Sequence, residues 1–117
     1  MASMNPNTLQ ERRLALAEKQ ERDLHLLSFH HKVYVLLQSE RSSEILEKAQ
    51  ERIALWKNQR LCHVDYIETW ESMIDHLDEF KARALDDLSD NGVALRQNTP
   101  FSFLMKELLK AEGVKLN

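Results

Sequence analysis

At 117 residues, with a formal net charge of −3, two glycines and one cysteine, the chain has the size of a single domain. Cys62 alone rules out an intrachain disulfide and fits a reducing, cytoplasmic setting, and the longest apolar run, residues 33–37, is far too short to span a bilayer. Abundant Leu, Ala, Glu, Lys and Gln, with no segment alternating like a strand, exclude a sheet protein and predict an all-α fold.

Residues 1–7 are polar and contain Pro6, as expected of a disordered lead-in, so the folded domain is expected to span 8–117. Thr8 and Glu11 have capping-box spacing and open the first predicted helix. Leu9, Leu16, Ala17, Leu24, Leu27, Tyr34 and Val35 form one stripe on it. Beyond Asp23 a second stripe appears at Leu26, Phe29, Val33, Leu36 and Leu37, roughly opposite the first. Two explanations compete: a break near Ser28 turns both stripes to one core, or the helix runs on to about Gln38 and the second stripe meets another molecule. No glycine or proline interrupts it, which favours continuity and a homodimer formed through Leu26, Phe29, Val33, Leu36 and Leu37.

Ser42 or Ser43 is the expected cap of a second helix, whose face is Ile45, Leu46, Ala49, Ile53 and Trp56. A turn over 58–64 leads to Asp65, the expected cap of a third helix that ends at Asn91-Gly92. In that helix Tyr66, Ile67, Trp70, Met73, Ile74, Leu77, Phe80, Ala84, Leu85 and Leu88 share an arc of roughly 140°. After an irregular 93–98, Thr99-Pro100 reads as cap and first residue of a short fourth helix with Phe101, Leu104, Met105, Leu108 and Ala111 on its face, closed by Gly113. The expected architecture is an elongated antiparallel three-helix bundle with that short helix across it.

Charge is unevenly spread, since residues 65–90 carry nine acidic and two basic side chains, a net of −7. Glu68, Glu71, Asp75, Asp78 and Glu79 lie opposite the apolar arc, and a field of that sign attracts a basic protein surface and repels phosphate backbones. Lys48, Arg52, Lys57 and Arg60 around Trp56 and Asn58 suggest an alternative, a DNA-binding regulator using the second helix, but the next helix has the wrong sign to recognise DNA.

His25, His30, His31, Cys62 and His63 lack the one-face spacing of three or four that a helical metal pair needs. Phosphate loops and nucleophile elbows are missing too, so no cofactor, metal or catalytic residue is expected. The leading expectation is a non-enzymatic interaction module, homodimeric, whose acidic third-helix face engages a basic protein. An antitoxin-like neutraliser, an adaptor, a secretion chaperone and a structural subunit of a larger complex all fit that description.

Overall fold

The structure, a computed structural model, describes the backbone of residues 6–110 and the side chains of residues 9–108. Helix α1, Pro6–Leu36, begins two residues before the expected cap at Thr8 and runs unbroken past Ser28. A turn closes it, with Leu37 N–H donating to the Val33 carbonyl at 2.9 Å and the Ser39 hydroxyl to that of Leu36 at 2.6 Å. The Ser39 oxygen also accepts from Arg41 N–H at 3.1 Å, so Ser39, rather than Ser42 or Ser43, is the serine that organises the entry to α2, Ser42–Gln59. Arg60 ends α2 in the left-handed region, φ 54°, its N–H returning to the Trp56 carbonyl.

Helix α3, Val64–Asp75, is capped by His63, whose Nδ1 accepts from the Asp65 N–H at 3.2 Å. Asp65 therefore sits in the first turn, still favourably placed against the helix dipole. The single helix expected over 65–90 does not exist. His76 adopts an extended conformation, φ −138° and ψ 102°, and its N–H bonds the Met73 carbonyl instead of that of Ser72. The imidazole Nδ1 makes up the loss by donating to the Ser72 carbonyl at 3.1 Å. Helix α4, Leu77–Phe80, continues into a π-helical turn, Lys81–Leu85, closed by Asp86 N–H on the Lys81 carbonyl at 2.9 Å.

Next comes α5, Asp90–Gln97, where an irregular connection was expected. Gly92 lies inside it rather than ending a helix. Thr99 does not cap a helix: its Oγ1 accepts from Phe101 N–H at 3.1 Å in a local turn, the next element is a 3₁₀ turn, Ser102–Leu104, whose N-cap position is Phe101, and α6, Met105–Lys110, starts only beyond it. Ala111 and Gly113 lie outside the described residues. The all-α class holds, with no strand among the described residues, while six helices replace the expected three-helix bundle and its short fourth.

The two stripes of α1 largely exchange the roles expected of them, although Tyr34 of the first stripe still packs on the core, stacked on Phe80, and Leu27 is half-buried. Phe29, Val33 and Leu37, expected at a dimer interface, are buried in the chain's own core, and Leu26 and Leu36 are half-buried. The cause lies far along the chain. Arg96, fully buried, sends Nε and Nη2 to the two Asp23 oxygens at 3.1 and 3.2 Å, and Nη1 to the carbonyls of Ala84 and Asp87 at 3.2 and 2.8 Å. His30, also fully buried, accepts a hydrogen bond from Thr99 at 2.9 Å. These contacts turn the Phe29 side of α1 inward, where Trp70 stacks on His30 with centroids 5.7 Å apart and meets Phe80 and Phe101 edge-on. Leu9, Leu16, Leu24 and Val35 are left facing solvent, and every side chain from 9 to 22 is exposed. Leu88, expected in the core, is likewise exposed, because the chain has left the helical phase by that point.

His30 has one consistent protonation state. Its Nδ1 sits 2.7 Å from the Leu26 carbonyl, which can only accept, so Nδ1 carries the hydrogen and Nε2 accepts from the Thr99 hydroxyl. Burial, chiefly, lowers the ring's pKa from 6.5 to about 4, with nearby Arg96 acting in the same direction. The folded pKa lies below the unfolded one, so between them the unfolded chain binds more protons. His30's contribution is therefore fully present above about pH 6.5 and is lost as pH falls through about 4. Relative to His30→Gln, the wild type is expected to lose up to about 3 kcal/mol more of unfolding free energy between pH 7 and pH 4. Urea titrations across that range check this, and parallel pH curves for the two proteins would refute it.

At Gly92 an added Cβ would collide with the Asp87 carbonyl oxygen that Arg96 holds. Gly92→Ala should cost about 2–3 kcal/mol, while the exposed neighbouring change Asn91→Ala stays within about 0.5 kcal/mol. Equal midpoints in urea for the two variants would contradict this.

Candidate functional site

The five acidic residues singled out in the sequence fall on two helices because of the break at His76. Glu68, Glu71 and Asp75 belong to α3, and Asp78 and Glu79 to α4. They do not act alike. Glu71 binds Lys57 of α2 at 2.6 Å, with both side chains roughly half exposed, and Glu79 accepts the Ser72 hydroxyl at 2.6 Å across the break. Glu68, Asp75 and Asp78 are exposed and meet no cation among the described residues.

The Glu71–Lys57 bridge separates two shallow clefts along the α2–α3 seam. One, of about 330 Å³, includes Trp56, Arg60, Cys62 and Glu68 in its wall; the other, of about 260 Å³, includes Gln50, Ile74 and Asp75. The α2 cations therefore border the acidic row and partly neutralise it. Lys48 lies 5.8 Å from the Phe103 ring centroid, a cation–π contact, and Trp56 packs half-buried against the core.

A larger cleft of about 500 Å³ opens between the start of α3 and α5, bounded by His63, Asp65, Tyr66, Thr69, Arg83 and Asp87. Its volume falls in the range of small-molecule sites. Most of its polar groups are engaged locally. The His63 ring caps α3, Thr69 donates to the Asp65 carbonyl at 2.7 Å, and Asp87 is held below the usual carboxylate range by the Ser89 hydroxyl and N–H. The Thr69 hydroxyl is thus engaged with the backbone, and the cleft wall presents charged and hydrogen-bonding groups beside it.

The histidines are dispersed. His25 stands 3.7 Å from Glu21, His30 has both ring nitrogens bonded, and His63 caps. Among the described residues no group of three or more His, Cys, Asp or Glu could hold a metal ion, and no helix is long and apolar enough to cross a membrane. Burial raises the Cys62 thiol pKa above its ordinary value. Comparison of the chain with family models, curated proteins and solved structures gives no match.

Arg96 and Asp23 are the residues that sequence reasoning missed. No local signal marked them: Arg96 opens the polar run 96–99, where an exposed arginine would be ordinary, and Asp23 sits in a charged helix. Lys57→Ala should change stability by less than about 1 kcal/mol, because the Glu71 bridge is solvent-screened. A larger loss in urea unfolding would show the bridge to be structural rather than a border of the acidic row.

Proposed function

We propose that the protein is a non-enzymatic protein–protein interaction module whose acidic α3–α4 face engages a basic protein surface. The observation that carries this reading is the division of labour among the five acids. Two are satisfied internally, while Glu68, Asp75 and Asp78 stand exposed without a cation among the described residues. Unneutralised like charges on two successive helices repel one another, and a Lys- or Arg-bearing partner relieves that repulsion. Rim carboxylates of this kind act mainly on association rate and partner choice. Neutralisation of a basic protein, adaptor function and chaperoning of a basic client all use such a face.

The test is capture from the native cell with wild type and with the combined variant Glu68→Lys, Asp75→Lys, Asp78→Lys, at low and moderate salt. All three positions are exposed, so the variant should fold. A basic protein retained by wild type at low salt, weakened as salt rises and lost by the variant supports the reading. Retention of the same protein by both forms, or capture of nucleic acid strengthened in the variant, overturns it.

A further inference from the structure

The acidic face leaves α1 unexplained. Leu9, Leu16, Leu24 and Val35 are 40%, 57%, 64% and 66% exposed, and at about 100° per residue they occupy an arc of roughly 100°. Phe29, Val33 and Leu37 point well away from that arc, into the core. No other part of the described chain covers residues 9–22. A helical stretch that short is marginal in water without packing.

We propose that α1 is the seam of an antiparallel homodimer formed along the exposed Leu9, Leu16, Leu24 and Val35 together with the half-buried Leu27 on the same arc. A two-fold contact requires that residue i meet j whenever j meets i. Two pairs meet this about one midpoint near Arg22: reversed, Leu9 falls opposite Val35, and Leu16 opposite Leu27 to within one residue, while Leu24 packs over the aliphatic stem of Gln20. Each first half of α1, bare on its own body, then lies along the packed second half of the other copy.

Charge points the same way. Residues 9–24 carry four acidic and four basic side chains, so two copies meet here without net repulsion, whereas the −7 stretch would oppose association through α3 and α4. A strongly charged partner would gain nothing from this neutral surface. The strip is roughly 40 Å long and on the order of 10 Å wide, or on the order of 800–1,000 Å² for both copies together. That is below the roughly 1,200–2,000 Å² of standard specific interfaces and in the range of weak, transient ones, so a weak, concentration-dependent dimer is expected. Pairing through α1 is independent of the acidic face and of any partner bound there.

Sedimentation velocity of the full chain from about 1 to 200 µM is the first measurement, with a monomer–dimer transition expected inside that window. Leu16→Glu with Leu24→Glu should weaken association at least about 100-fold, with the circular dichroism of the monomer retained, since both positions are exposed. In a Cys62→Ser background, mixing Leu9→Cys with Val35→Cys should give an inter-chain disulfide, while Leu9→Cys alone gives none. A monomer at every concentration, a dimer indifferent to the two glutamates, or crosslinking between two Leu9→Cys chains would each overturn the proposal, and the crosslinking arm decides even if the double variant fails to fold.

Discussion

A guanidinium with no exposed surface is what the rest of this molecule is arranged around. Arg96 brings a full charge into the interior, which is tolerable only because Asp23 meets it with both carboxylate oxygens and two backbone carbonyls take a further N–H group. Those partners come from α1, the π turn and the loop before α5. Removing the planar fork would leave a half-buried carboxylate and two carbonyls short of donors. The packed half of α1 accordingly starts at Asp23, and the close approach at Gly92 exists because the Asp87 carbonyl is drawn toward the arginine.

Two helical turns further along α1, His30 makes the second fastening. Its hydrogen bonds run in a single direction, from the Phe101 amide to the Thr99 oxygen, from the Thr99 hydroxyl to Nε2, and from Nδ1 to the Leu26 carbonyl. Every group in that chain has one role it can fill, so ring, rotamer and turn are set together. The aromatic cluster then packs on the imidazole. The Trp70 indole N–H has no acceptor among the described residues, a cost of its full burial set against the apolar surface the ring buries and its contacts with His30, Phe80 and Phe101.

Much of this was legible from residue order alone. The helical class follows from composition, and the apolar arc from Tyr66 to Leu85 is buried or half-buried throughout, even though the helix expected to carry it is broken at His76. Apolar spacing reports which residues turn inward and is blind to a residue that leaves the helix and re-enters it. On α1 both stripes had acceptable spacing, and the choice between them rests on partners 69 and 73 residues away, which no local window contains. The acidic positions were equally plain in the sequence. What pattern reasoning could not supply is the tertiary reach of Lys57 to Glu71 and the bend that gives Glu79 to Ser72, which separate engaged from unengaged carboxylates.

The π turn at Lys81–Leu85 accommodates one residue more than an α-helical turn would, and everything downstream inherits the offset. Each residue of an α-helix advances the chain by about 100°. Excising a single residue from this turn would rotate the chain's exit at Asp86 and displace the Ala84 and Asp87 carbonyls that hold the Arg96 guanidinium. The turn thus sets the length of chain between Phe80 and the arginine's backbone partners. Its outward side chains can be exchanged at little cost, whereas a change in its length must be compensated elsewhere in the same stretch.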